Sequence, residues 1–356
     1  MSWNGIEGHD RVVEQFRRAL TQGRLASTFL FVGPPGVGKR SFALSLAQAL
    51  LCETRDEAAL DPCGVCPGCV QVKAQSHPDL ELVARKKDKG VLTLDLFIGD
   101  KEHRGQEGLC HRIALRPSRG GRKIAIIDDA DYFNAESANC LLKTLEEPPP
   151  RSVIILVGTS EQRQLPTIRS RSQPVRFRPL PLEVVERLLV EKNLIDDAGE
   201  AAALAELSQG SLEKALAAAD PALREFRAAL FEQLVDVEAQ QFKLAADVVA
   251  CTNEAGKEAP LRRERMKLIF GFAVDFYRAL MRRLDGLQAA GDRVLRGGVE
   301  QAVKRYRHDA EAAAGCLERC LAALEEVDRN ANQATLAECW ADDLAGITRR
   351  GYALLD

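Results

Sequence analysis

Uninterrupted apolar runs punctuate the first half of the chain: Phe29-Leu30-Phe31-Val32, Ile124-Ala125-Ile126-Ile127 and Val153-Ile154-Ile155-Leu156-Val157. Leu80-Glu81-Leu82-Val83 and Val175-Arg176-Phe177 are shorter stretches of similar character. Runs without polar alternation predict strands covered on both faces, as in a parallel sheet. Between them apolar residues recur at helical spacing: Val12, Val13, Phe16 and Leu20, then Phe42, Leu46 and Leu50, then Ala138, Leu141, Leu142 and Leu145. Strands alternating with helices predict an α/β domain with a parallel sheet and flanking helices. From about residue 179 the strand signals fade and the chain becomes rich in alanine and leucine. Helical spacing there predicts a small bundle of helices at 182–194, 197–207 and 212–219. Further helices are expected at 222–235, 242–251, 262–287, 299–327 and 334–354.

The bulk numbers narrow this picture little. The chain has 356 residues, 46% of them hydrophobic, enough for two or three domains with real cores. Its 49 basic and 52 acidic residues leave a net charge of −3. No global field would hold nucleic acid or a membrane surface, so any DNA contact is local or shared with partners. No apolar run approaches the roughly 18 residues of a membrane span. Met1-Ser2-Trp3-Asn4 lacks the basic flank and apolar core of a signal peptide, and a cytoplasmic location is expected.

The chemistry begins at Gly33-Pro34-Pro35-Gly36-Val37-Gly38-Lys39-Arg40, which follows a strand and opens a helix. In that context a GxxxxGK segment predicts a phosphate-binding loop: glycines let the backbone wrap an anion, and Lys39 adds a mobile charge. The residue after the lysine departs from the pattern. A hydroxyl is wanted there to hold magnesium, and the chain has Arg40. Ser41 lies about 100° further round the helix, away from the metal position. A nucleotide site is expected, without full hydrolytic equipment; a simple Gly/Pro turn between core elements is the bland alternative.

Ten cysteines in a reduced compartment point away from disulfides. Cys63, Cys66 and Cys69 form two CxxC steps, and Cys52 completes a set of four thiolates suited to a structural zinc. An iron–sulfur cluster or free thiols are the alternatives. Asp128 and Asp129 end an apolar strand, where a carboxylate can hold magnesium on bound phosphates, although acids also end strands as turns. Asn134 is placed to cap the next helix, which Pro148-Pro149-Pro150 stops. Thr159, at the end of another strand, suits a γ-phosphate or its water, or a local turn bond. Arg169 and Arg171 follow, of a type that stabilises phosphoryl charge and is also common on surfaces.

Taken in order, GPPGVGK, the four cysteines, IIDDAD, NAESANCLLKTLEEPPP and LPTIRSRS resemble the clamp-loader branch of the AAA+ ATPases, densely from residue 3 to about 177 and loosely beyond. The resemblance implies an AAA+ P-loop domain over 1–178 with a zinc module at 52–69, a helical lid over 179–219 and an all-α collar over 220–356. It makes Gly33, Pro34, Pro35, Gly36, Val37, Gly38 and Lys39 the Walker A loop, with Arg40 and Ser41 beside it. It makes Asp128 the Walker B acid, with Asp129 in the place of the catalytic glutamate, and Cys52, Cys63, Cys66 and Cys69 the zinc ligands. Ser170-Arg171-Ser172 matches the Ser-Arg-Cys motif, whose arginine acts as a finger on a neighbouring subunit's ATP. Gly210-Ser211-Leu212-Glu213-Lys214-Ala215-Leu216 resembles the lid motif, with Lys214 in place of the sensor arginine.

Arg40, Asp129 and Lys214 each weaken the chain's own turnover, while Arg171 is kept. The resemblance therefore implies a non-motor accessory subunit of the bacterial DNA polymerase III clamp loader. It would have weak or absent ATPase activity of its own, a structural Zn²⁺, and ATP with Mg²⁺ as a weakly held ligand. An ATP-hydrolysing motor of the gamma/tau kind is the alternative. Implied partners are the gamma/tau motor and delta subunits and, through the complex, the sliding clamp and primer–template DNA, with no membrane.

Overall fold

The computed structural model describes residues 3–86, 89–119, 121–288, 291–306 and 309–352, without the side chains of 350–352. The chain divides into two compact units, Met1–Ala198 with Gly210–Glu213, and Gly199–Gln209 with Lys214–Asp356.

The first unit is built on a parallel sheet of β1 (Thr28–Val32), β2 (Leu80–Val83), β3 (Lys123–Ile127), β4 (Ser152–Val157) and β5 (Gln173–Arg176). The strand order is β2-β3-β4-β1-β5. β1, β3 and β4 are buried at every position, which explains why they read as unbroken apolar runs. β5 lies at an edge, where Pro174 costs no ladder bond on its outer side. Helices α1 (Asp10–Thr21), α2 (Lys39–Leu50), α3 (Pro67–Lys73), α4 (Asp95–Ile98), α5 (Leu109–Ala114), α6 (Ala135–Glu146), α7 (Pro166–Arg169) and α8 (Leu182–Glu191) connect and flank these strands.

Alternation along β1 divides the core in two. Phe29 and Phe31 join Phe16, Phe42, Leu46 and Phe177 on one side, while Leu30 and Val32 join Ile127, Leu141 and Leu156 on the other. α6 starts as expected at Asn134, whose side chain accepts from the Ser137 N–H at 2.8 Å, and Ser137 reciprocates to the Asn134 N–H. The region 92–115, which carries little pattern, forms α4 and α5 around an exposed loop.

The second unit is helical: α9 (Ala198–Ser208), α10 (Leu212–Ala218), α11 (Pro221–Val235), α12 (Val237–Glu254), α13 (Ala259–Leu284), α14 (Arg293–Arg305), α15 (Ala310–Asp328) and α16 (Gln333–Tyr352). The first residues of α9 and α10 fall on the other side of the division. Its core stacks Phe231 on Phe276 with centroids 5.6 Å apart and sets Phe270 against Trp340 at 4.9 Å. The single helix expected at 299–327 is two. Asp309 restarts the chain as α15 by accepting the Ala312 N–H at 2.7 Å, a capping bond that spacing of apolar residues does not reveal. The expected end of the last helix at 354 lies outside the described residues.

Phe42 is fully buried and meets four rings, with centroids 5.0 Å from Trp3, 5.2 Å from Phe177 and 5.8 Å from both Phe16 and Phe31. Phe42→Ala is expected to destabilise the α/β unit by about 3–5 kcal/mol. Urea denaturation followed by circular dichroism measures it; an unchanged midpoint would contradict this packing.

Candidate nucleotide and metal centres

All five strands run the same way, so their C-terminal ends line one edge of the sheet, where ligands bind in such folds. The loop leaving β1, Asp128 after β3 and Thr159 after β4 gather there; the Gly33 N–H donates to the Thr159 carbonyl at 3.0 Å. Gly36 has φ +70°, and a Cβ at that position would lie 2.3 Å from Ser211 Oγ and 2.5 Å from Glu213 Cβ. Only glycine lets the loop and the segment 210–213 approach so closely, and the Leu212 N–H donates to the Gly36 carbonyl at 3.0 Å.

Lys39 is buried and donates to the carbonyls of Gly33 at 2.7 Å and Pro34 at 2.6 Å. Burial pushes its pKa down to about 8, against the opposing pull of Asp131, Asp128 and Glu213. His9, which the sequence reading passed over, braces the loop from behind, with its Nε2 2.7 Å from the Val37 carbonyl. A carbonyl only accepts, so the proton is on Nε2. Burial lowers the His9 pKa and keeps the ring neutral.

Arg40 is half-exposed, and its Nε lies 3.5 Å from Asp128 Oδ2. The side chain standing where a magnesium-binding hydroxyl is wanted thus pairs with the acid expected to hold the same metal. Ser41 is exposed. Asp129 follows in a left-handed conformation, φ 57°, at the head of a short turn. The Thr159 hydroxyl donates to Asp131 Oδ2 at 2.6 Å, its N–H donates to the same oxygen at 2.8 Å, and Gln164 donates to Oδ1 at 2.5 Å. Asp131 is the organiser that sequence reasoning missed; it stands within IIDDAD, but its three bonds come from residues 28 and 33 positions away.

Two further predicted residues make pairs of their own. Lys214 falls in the helical unit, where its Nζ donates to the buried Asp275 at 2.8 Å. Arg171, just past α7, is about one-third exposed (32%) and holds Glu146 at the end of α6, with Nη2 2.6 Å from Oε1. Its Nε donates to the same oxygen at 3.0 Å, and its Nη1 donates to the Thr167 carbonyl at 3.0 Å.

The four cysteines converge. Their Sγ atoms all lie within 4.8 Å of one another, with Cys63–Cys69 at 3.9 Å and Cys52–Cys66 at 4.0 Å. Tetrahedral Zn–S bonds of 2.3 Å would put sulfurs roughly 3.8 Å apart, so the set fits a zinc ion. Gly68 makes this approach feasible, since a Cβ there would meet the Leu51 carbonyl at 2.5 Å and push α3 away from the end of α2. The Cys66 N–H donates to Cys63 Sγ at 3.3 Å and the Cys69 N–H to Cys66 Sγ at 3.4 Å. Hydrogen bonds from Thr54 and from backbone N–H groups pull the Cys63 thiol down to about 5, toward the thiolate a metal binds.

A family model described as DNA polymerase III, delta subunit, matches residues 8–181. The DNA polymerase III subunit delta' of Pseudomonas aeruginosa is 31% identical over 258 residues, covering 72% of each chain. The subunit tau of Escherichia coli is 33% identical over 223 residues, 61% of this chain, which spans only 32% of that longer protein. Among solved structures, a gamma subunit-related protein of DNA polymerase III from Thermotoga maritima aligns over 95% of this chain and 99% of its own, at 18% identity and TM-score 0.43. With delta' alike over most of both lengths, the chain belongs to the delta-prime and gamma/tau family of DNA polymerase III clamp-loader subunits.

Proposed function

We propose that the chain is a delta-prime-like stator of the DNA polymerase III clamp loader, which positions the motor subunits and supplies Arg171 to a neighbour's ATP. In this reading its partners are gamma/tau and delta subunits, and it acts on the sliding clamp and primer–template DNA through the assembly. Residues 1–178 serve as the AAA+ domain, 179–219 as the lid and 220–356 as the collar.

The observation that carries the reading is the Arg40–Asp128 pair. A guanidinium cannot ligate magnesium, and a cation already set against the acid repels a second one. Lys39 is engaged with backbone carbonyls, and Glu213 adds negative charge beside it. The chain's own site then takes nucleotide weakly and turns it over slowly. Arg171 supports the second half of the reading. Its ion pair is with a surface carboxylate, a kind of pair worth about 0–1 kcal/mol, beside neutral bonds to Thr167 and Ser170, so exchange for a phosphate across a subunit boundary costs little. The competing reading, a gamma/tau-like motor, draws on the complete GxxxxGK segment and the likeness to tau.

In the four-cysteine cluster a zinc ion would supply cross-linking and no catalysis, because four protein ligands leave no open position. Purified protein is expected to carry about one zinc per chain, lost with a drop in melting temperature on chelation. Metal analysis finding iron or no metal would remove this assignment.

Two substitutions separate stator from motor. In an assembled complex, Arg171→Ala should leave assembly intact and reduce turnover at the ATP site it completes on the order of 10³-fold; unchanged ATPase and unchanged clamp loading would defeat the finger role. Arg40→Thr should raise magnesium-dependent nucleotide affinity of the isolated chain by about tenfold or more, the scale of one charge-assisted contact. Steady turnover by the unaltered isolated chain, abolished by Lys39→Ala, would favour the motor.

A further inference from the structure

The helical unit contains a cavity of about 400 Å³, walled by the end of α12, the turn into α13 and the turn between α15 and α16. Its charged lining has one sign: Lys257, Arg262 and Arg263, with no aspartate or glutamate. The same space receives the first residues of two long helices, Ala259 of α13 and Gln333 of α16. Helix N-termini carry partial positive charge and unpaired N–H groups, and acidic residues normally stand there. Neither helix has an acid in its first turn, and Glu258, at the N-cap of α13, makes no capping bond. Three cations set against two positive helix ends oppose one another, a local conflict of the kind that folds keep at binding sites.

A separate observation points to a ligand. Thr252 lines the cavity, is 1% exposed, and its hydroxyl has no hydrogen-bond partner among the described residues. A helical threonine ordinarily satisfies its hydroxyl on the carbonyl one turn back, and Thr252 does not. The arginines are held in place: Arg262 Nε donates to the Gly256 carbonyl at 2.6 Å, and Arg263 Nη1 donates to the Asn330 side chain. Asn332 caps α16 by accepting the Ala334 and Thr335 N–H groups, both at 3.1 Å, which fixes the opposite wall.

We propose that this cavity binds the phosphoryl group of a small phosphorylated molecule. Two or three cations and a buried hydroxyl are donors of the kind that a doubly charged tetrahedral oxyanion requires, and the positive ends of two helices add to their field. The volume is that of a small-molecule pocket, and the cavity shares no residue with the P-loop.

Calorimetric titration of the full chain with inorganic phosphate, at constant ionic strength, tests this in a Lys39→Ala background that removes the P-loop lysine. Saturable binding is expected, weakened about tenfold or more by Arg263→Glu, the scale of one lost charge-assisted contact. Should Arg263→Glu lose its helical circular dichroism, Lys257→Ala, at an exposed position, carries the same expectation. Absence of saturable phosphate binding, or binding indifferent to Lys257 and Arg263, overturns the proposal. Binding of a single-stranded oligonucleotide through these residues, with no response to inorganic phosphate, overturns it as well.

Discussion

The sheet's uniform direction is the constraint on which the rest depends. With every strand parallel, the loops after β1, β3 and β4 must emerge on one edge, and the order places β4 between the P-loop strand and the strand ending in Asp128. Two strand spacings, roughly 10 Å, therefore separate the two elements. A long side chain from the first turn of α2 can bridge that gap, and Arg40 does. A hydroxyl at the same position would need a metal ion between it and Asp128 to make the connection.

That bridge belongs to a wider internal neutralisation. Lys39 and Arg40 face Asp128, Asp131 and Glu213, so charges that a phosphate and its magnesium would otherwise balance are balanced within the protein. Lys39 satisfies the Gly33 and Pro34 carbonyls, and Leu212 occupies the Gly36 carbonyl. A phosphate entering the loop would displace these contacts and approach Glu213. Each contact is modest; in the proposed reading they together oppose nucleotide binding where the loop sequence alone favours it.

The features legible in the sequence were those encoded locally. β1, β3 and β4 read as strands because both faces are buried, and α6 announced its start through Asn134 and its stop through three prolines. The cysteine cluster was legible because CxxC spacing is itself a geometric statement. What escaped detection depends on contacts between distant positions. Asp131 looked like one of several acids in a turn, yet it fixes Thr159 and Gln164. Lys214 matched a lid position by motif, while its partner Asp275 lies 61 residues away. The basic segment before β3 likewise depends on distant partners: Arg122 grips Glu57 with bonds of 2.6 and 2.7 Å, and Arg119 pairs with Glu53.

Those last two pairs bear on how the cysteine segment stays in place. Both glutamates lie between Cys52 and Cys63 and both arginines precede β3, so the pairs fasten the insertion to the main fold. Such partly exposed pairs contribute little individually. Apolar anchorage is also limited: Leu60, Cys69 and Val72 are buried, and Trp3 Nε1 donates to the Leu60 carbonyl at 2.6 Å, but Val65 at the tip is 81% exposed. So short a segment cannot supply a core of its own, and small units of this kind depend on a cross-link. With the other ties this weak, an ion held by the four sulfurs would supply that cross-link, which accounts for their being gathered here while Cys316 and Cys320 are simply buried in the helical core.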